Sequence, residues 1–215
     1  MIVIENPALK EFAAHIGSEL ALAQVLIRRS GSGYELRHVE DRDAAAESLR
    51  VIKGNEARGL AQYTAKGVFR PLKSAPTLQR GWRMLPAGDA ELEAALSQLY
   101  PGALADWHAA RTANPPVTSF REFTNRQSGM YRIAAKLSDA QAAQVISITC
   151  DKKSCLKRRL WSVAGLEPDV AAEKSLIPCL EPCAVLLESA RKAMRLEQQE
   201  KAGTAPKLAD DPEAE

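Results

Sequence analysis

The chain has 215 residues, a net charge of +2, 46% apolar residues and only 5% aromatic ones. That length holds one large domain or two small ones, and the apolar fraction suffices for a packed core without disulfide staples. The pI near 8.3 argues against a nucleic-acid binder, which concentrates basic residues and usually has a pI above about 9.

The start, Met1-Ile2-Val3-Ile4-Glu5-Asn6-Pro7, lacks the basic and apolar regions of a secretory signal. No apolar run approaches the roughly 20 residues of a membrane span. The expectation is a cytoplasmic protein without a membrane partner, whose thiols stay reduced.

Asn6 or Pro7 opens a predicted helix to about His15. The β-rich runs 23–29 and 34–39 flank Ser30-Gly31-Ser32-Gly33 and read as a hairpin. Asp41 is expected to cap a long alanine-rich helical stretch to about Lys66, with a break near Gly54. Residues 67–88 carry Gly67, Pro71, Pro76, Gly81, Pro86 and Gly88, which oppose long regular structure. A helix follows from Asp89 with Leu92, Leu96 and Leu99 on one face, then another from Pro101 to about Arg111 with Leu104 and Trp107 inward. Asn114-Pro115-Pro116 ends it.

Ser119-Phe120-Arg121-Glu122 and Ser138-Asp139-Ala140-Gln141 match the capping-box pattern and start two further helices. The second carries Ala142, Val145, Ile146 and Ile148 toward Cys150. A last amphipathic helix is expected from about Glu181 to Ala202, and residues 204–215 read as a disordered acidic tail. The expected class is α+β: mainly helical, with an N-terminal β-hairpin and a C-terminal four-cysteine region. Residues 1–203 form one compact unit in this reading.

All four cysteines fall between 150 and 183, as a C-x4-C pair (Cys150, Cys155) and a C-x3-C pair (Cys179, Cys183). Buried free thiols would sit in apolar runs, but these pairs flank charged residues. Structural zinc is a second reading, since four thiolates are a normal zinc set, yet zinc ribbons favour the tighter C-x2-C knuckle. A 4Fe–4S cluster is the preferred reading, because a cubane's separate iron corners suit wider spacings and four cysteine thiolates are its usual ligands. The three histidines, His15, His38 and His108, lie outside the window, which disfavours a mixed His/Cys site.

Lys152, Lys153, Lys157, Arg158 and Arg159 surround the first pair against one acid, Asp151. Such cations would offset the negative charge of a thiolate-bound cluster and raise its potential; an ordinary solvated face explains them equally well. Trp161 and Leu160 could shield one side of a cluster or simply pack in the core. Prolines 178 and 182 fix the backbone around the second pair.

The pattern Cys-x4-Cys-Leu-Lys-Arg-Arg-Leu-Trp followed by Pro-Cys-x3-Cys resembles the iron–sulfur domain found behind CbiX-type sirohydrochlorin cobaltochelatases. Gly33-Tyr34-Glu35-Leu36-Arg37-His38, the segment 70–76, Arg80-Gly81-Trp82 and Tyr100-Pro101-Gly102-Ala103 are similar to segments of the same family. The resemblance covers most of residues 20–195. It implies a 4Fe–4S cluster on Cys150, Cys155, Cys179 and Cys183 and an association with tetrapyrrole metallation. The chain departs from the family in that no chelatase domain is recognised ahead of the iron–sulfur region, and the paired metal-handling histidines are not evident.

The implied role is therefore accessory: stabilising a separate chelatase or tetrapyrrole enzyme, passing it electrons, or sensing redox state. A sirohydrochlorin chelatase-type enzyme and a zinc-stabilised nucleic-acid or protein-binding module are the alternatives. Arg70, Lys73, Arg80 and Arg83 could grip an anionic, carboxylate-rich tetrapyrrole, with Trp82 stacked on its plane. The plainer expectation pairs those cations with glutamates and uses Trp82 as a core anchor.

Overall fold

The chain is described from a computed structural model covering residues 6–69, 75–112, 117–150, 155–169 and 176–203. Asn6 caps α1 (Pro7–His15), its side chain accepting the Ala8 amide at 3.1 Å. Proline in the first turn loses nothing there, because its missing N–H would have had no helical partner. The helix lays Leu9, Phe12 and Ala13 into the core.

Three antiparallel strands follow: β1 (Glu19–Leu22), β2 (Val25–Ser30) and β3 (Gly33–His38). The expected hairpin is β2–β3, closed by a two-residue turn between the paired Ser30 and Gly33. β1 was not legible in sequence. It gains its order from pairing with β2 and from Glu19, which holds Arg28 at 3.0 Å and also binds Arg42. Ala23, in the β1–β2 turn, adopts a left-handed φ of 52°. Gly33 has no room for a side chain, because a Cβ there would enter the Pro86 carbonyl oxygen. That close approach lets Tyr34 donate its amide to Pro86 at 2.8 Å.

The long helix expected between Asp41 and Lys66 is not formed. Short 3-10 turns at Val39–Asp41, Ala46–Ser48 and Gly54–Glu56 alternate with β4 (Arg50–Val51), and only α2 (Ala57–Gln62) is helical. The buried Arg37 guanidinium explains part of this. It takes the carbonyls of Asp41 and Ala44, at 3.2 and 2.9 Å, which a helix would direct to its own amides. The segment 67–88, expected to be irregular, contributes β5 (Trp82–Met84), which pairs antiparallel with β3 and parallel with β4. The sheet order is β1-β2-β3-β5-β4.

The next helices match their sequence signals: α3 (Asp89–Leu99) buries Leu92, Leu96 and Leu99, and α4 (Ala103–Thr112) buries Leu104 and Trp107. Trp107 meets Phe12 edge to face at 5.2 Å, a preferred aromatic geometry. These elements close the first core over the sheet.

Beyond α4 a second core forms around Phe120, Ile146, Trp161, Leu186 and Ala190. Ser119 caps α5 (Phe120–Asn125). Ser138 and Gln141 complete a reciprocal capping box on α6 (Asp139–Thr149), with contacts of 3.2 and 2.8 Å. Ala142 and Ile146 point inward, but Ile148 is 67% exposed and does not join them. At 100° per residue it lies on the opposite face. A parallel pair, β6 (Arg158–Arg159) and β7 (Pro178–Cys179), precedes α7 (Ala184–Gly203).

This ribbon belongs to both halves: Leu156 and Ile177 pack on the first core, while Trp161 and Cys179 pack on the second. The expected tail at 204–215 lies outside the described residues. The chain is α+β, and among the described residues no helix is long and apolar enough to cross a membrane.

Candidate metal centre

Four different backbone contexts deliver the cysteines. Cys150 ends α6, its amide bonded to Ile146 at 2.8 Å. Cys155 enters the ribbon, fixed by the Leu156 amide on the Ala75 carbonyl at 3.0 Å. Cys179 lies in β7, where its carbonyl receives the Leu160 amide at 3.0 Å. Cys183 immediately precedes α7 and accepts the Leu187 amide at 3.1 Å.

The four side chains, all half-buried free thiols, line one pocket with Thr149, Lys157, Trp161, Val185 and Leu186. Among the described residues no three His, Cys, Asp or Glu side chains close in as ligands of a single ion. Zinc requires every sulfur within about 2.3 Å of one point. Four cysteine thiolates are the usual ligand set of a 4Fe–4S cluster.

The electrostatics agree with a multivalent metal centre. Burial, reinforced by the neighbouring Cys155, Cys179 and Cys183, pushes the Cys150 thiol up to about 12, with Arg159 opposing. Burial also raises Cys179, while the Trp161 hydrogen bond and Lys157 pull it down. Burial thus disfavours the thiolate forms of Cys150 and Cys179, and a bound metal centre would supply the compensating charge.

Two of the five cations turn inward rather than forming a solvated face. Lys157 is 10% exposed and its ammonium lies 2.6 Å from Asp106. The buried Arg159 donates to the carbonyls of Trp161, Leu166 and Glu167. Lys152 and Lys153 lie outside the described residues. Trp161 is fully buried, stacks on Phe120 at 6.3 Å and donates Nε1–H to Cys179 Sγ at 3.3 Å. The sequence leaves Trp161 between excluding water and plain core packing; its donor role needs the fold, as does Asp106, which is distant in sequence.

Of the basic loop's four cations, the described ones, Arg80 and Arg83, each face a glutamate. Arg70 and Lys73 lie outside the described residues. Arg80 pairs with Glu40, and Arg83 lies 4.0 Å from Glu35, which also holds Arg37 at 2.5 Å. Trp82 is fully buried in the sheet and donates to the Gln79 carbonyl at 2.7 Å, so its ring is not presented for stacking on a macrocycle. The histidines lie apart from the cysteine pocket. His15 packs against Trp107, His38 is buried in β3, and His108 pairs with Glu11 at 3.1 Å.

Comparisons with known proteins follow the same division. Residues 112–192 match the model of the 4Fe-4S iron-sulfur cluster binding domain family, and residues 7–111 match that of the DR2241 stabilising domain. The fold superposes on the crystal structure of DR2241 from Deinococcus radiodurans with a TM-score of 0.71 and 28% identity. That structure is described as a multi-domain protein with structural similarity to chelatases and two additional novel domains. The match covers 88% of this chain and 40% of that one, so the chain spans about two fifths of its length. A search of the curated proteins finds no match. The chain thus joins a DR2241 stabilising domain to a 4Fe–4S iron–sulfur cluster binding domain.

Proposed function

We propose that Cys150, Cys155, Cys179 and Cys183 are the four ligands of the cluster, and that the loaded chain is an accessory protein of tetrapyrrole metallation in the reducing cytoplasm. The observation that carries this is the sharing of one pocket by all four thiols. Bound there, the cluster supplies one-electron chemistry and a tie between segments distant in sequence. The chain's own residues hold it: α6 and α7 bring Cys150 and Cys183 from the second core, and the ribbon brings Cys155 and Cys179. Lys157 and Arg159 place positive charge close by, and Trp161 closes the dry side.

A complete set of four cysteine ligands leaves no iron corner open to a substrate. The role is then stabilising, electron-transferring or redox-sensing toward a chelatase-type partner. The likeness to a chelatase-related multi-domain protein supports the tetrapyrrole link, with sirohydrochlorin on the way to cobalamin as the substrate of that partner.

Anaerobic purification with iron and sulfide analysis tests the ligand set. The expected result is four irons per chain, with both iron content and melting temperature lowered in Cys179→Ser. A colourless protein with stoichiometric zinc overturns it. Incubating the chain alone with sirohydrochlorin and cobalt tests the accessory role; turnover would instead make it a chelatase.

A further inference from the structure

We infer that Trp161 raises the reduction potential of the cluster by donating its indole N–H to the Cys179 thiolate. The inference rests on Cys179 being a ligand, as proposed above. Indole Nε1 stands 3.3 Å from Sγ, within hydrogen-bonding range of sulfur. A buried indole N–H is a donor only and needs an acceptor, and the sulfur is the one it meets.

The donor is held from three directions. The ring is fully buried and stacks on Phe120 with an interplanar angle of 25°. The Arg159 guanidinium carbon lies 5.2 Å from the ring centroid. The same guanidinium binds the Trp161 carbonyl, so the backbone is clamped as well. The Cys179 thiol also reaches the Glu181 carbonyl at 3.3 Å. Ligation removes that thiol proton, and the Trp161 bond is the one that persists.

A hydrogen bond to a ligand sulfur withdraws electron density from it. The more negative, reduced cluster gains more than the oxidised one, and the potential rises. Rotation cannot relax the bond away, because ring and backbone are both packed. Trp161 is thus a positioning residue whose contribution is electronic.

The test compares wild type with Trp161→Phe, which keeps an aromatic ring against Phe120 while removing the donor and part of the indole's volume. An anaerobic titration followed by electron paramagnetic resonance should give a lower midpoint potential in the variant at unchanged iron and sulfide content. An unchanged potential at full iron loading overturns the inference while leaving the ligand assignment intact. Iron fully retained in Cys179→Ser removes the assignment and the inference together.

Phenylalanine is smaller than tryptophan, and solvent entering beside it would also act on the potential, so a second measurement reads the bond directly. Wild-type protein labelled with 15N-tryptophan and reduced should show a 15N coupling to the cluster in pulsed electron paramagnetic resonance. Trp82 and Trp107 do not line the pocket, so the coupling reports Trp161. Its absence overturns the inference even where Trp161→Phe fails to hold the cluster.

Discussion

Lys157 reaches from the cysteine pocket to Asp106 on α4, Nζ to Oδ2 at 2.6 Å. The two residues belong to different matched domains. With the Leu156 amide on the Ala75 carbonyl, this pair stitches the cluster ribbon to the stabilising half. Asp106→Asn removes the charge of a partner that faces a nearly buried ammonium. A loss of about 1–2 kcal/mol is expected, read as a lower melting temperature with iron content maintained. An unaltered melting temperature would show that the pair contributes nothing to docking.

Removing the cluster should loosen one half more than the other. The second core is smaller, and Cys150, Cys179 and Cys183 pack against it from the end of α6, the ribbon and the start of α7. Hydrogen exchange after anaerobic chelation should rise several-fold in α6, α7 and residues 155–160, because metal binding and folding are linked. β2 and β3 should stay protected. Uniform loss of protection would contradict independent cores.

His38 predicts a pH dependence. It is buried in β3, with Nδ1 accepting the Glu40 amide at 3.1 Å. Burial lowers its pKa from 6.5; Asp41 and Glu40 oppose the shift and Arg80 adds to it. The unfolded chain therefore takes up the proton more readily than the folded one. The His38 contribution is complete above pH 6.5 and is lost progressively as pH falls from 6.5 toward the depressed folded value. His38→Asn keeps a capping acceptor and cannot titrate, so its stability curve should lack that decline. Parallel wild-type and variant curves through this window would refute the assignment.

Two backbone positions should respond in opposite directions. Ala23→Gly relieves a left-handed φ of 52° and should stabilise by up to about 1 kcal/mol. Gly33→Ala drives a Cβ into the Pro86 carbonyl, strains the Tyr34 amide bond, and should cost about 2–4 kcal/mol. Urea denaturation measures both, and a neutral Gly33→Ala would mean that the 86–87 segment yields freely.

Several features were legible because their causes are local. The Ser138–Gln141 capping box, the Leu92, Leu96 and Leu99 stripe, and the β2–β3 hairpin each depend on residues a few positions apart. The clustering of every cysteine between 150 and 183 is likewise visible without a fold, and it carries the iron–sulfur chemistry. Helical periodicity misled where a buried side chain intervened: Arg37 captured the carbonyls of residues 41, 42 and 44, and an alanine-rich segment became turns and a strand.

The chain by itself thus determined which donor atoms are available and which helices present which faces, since propensity, caps and spacing act over a turn or two. Only the tertiary structure decided that β5 completes the sheet, that Trp82 is sealed inside it, and that Asp106 meets Lys157. It alone also decided that Trp161 meets Cys179. Those contacts join residues far apart along the backbone, and their energy comes from packing and charge pairing that no local window contains.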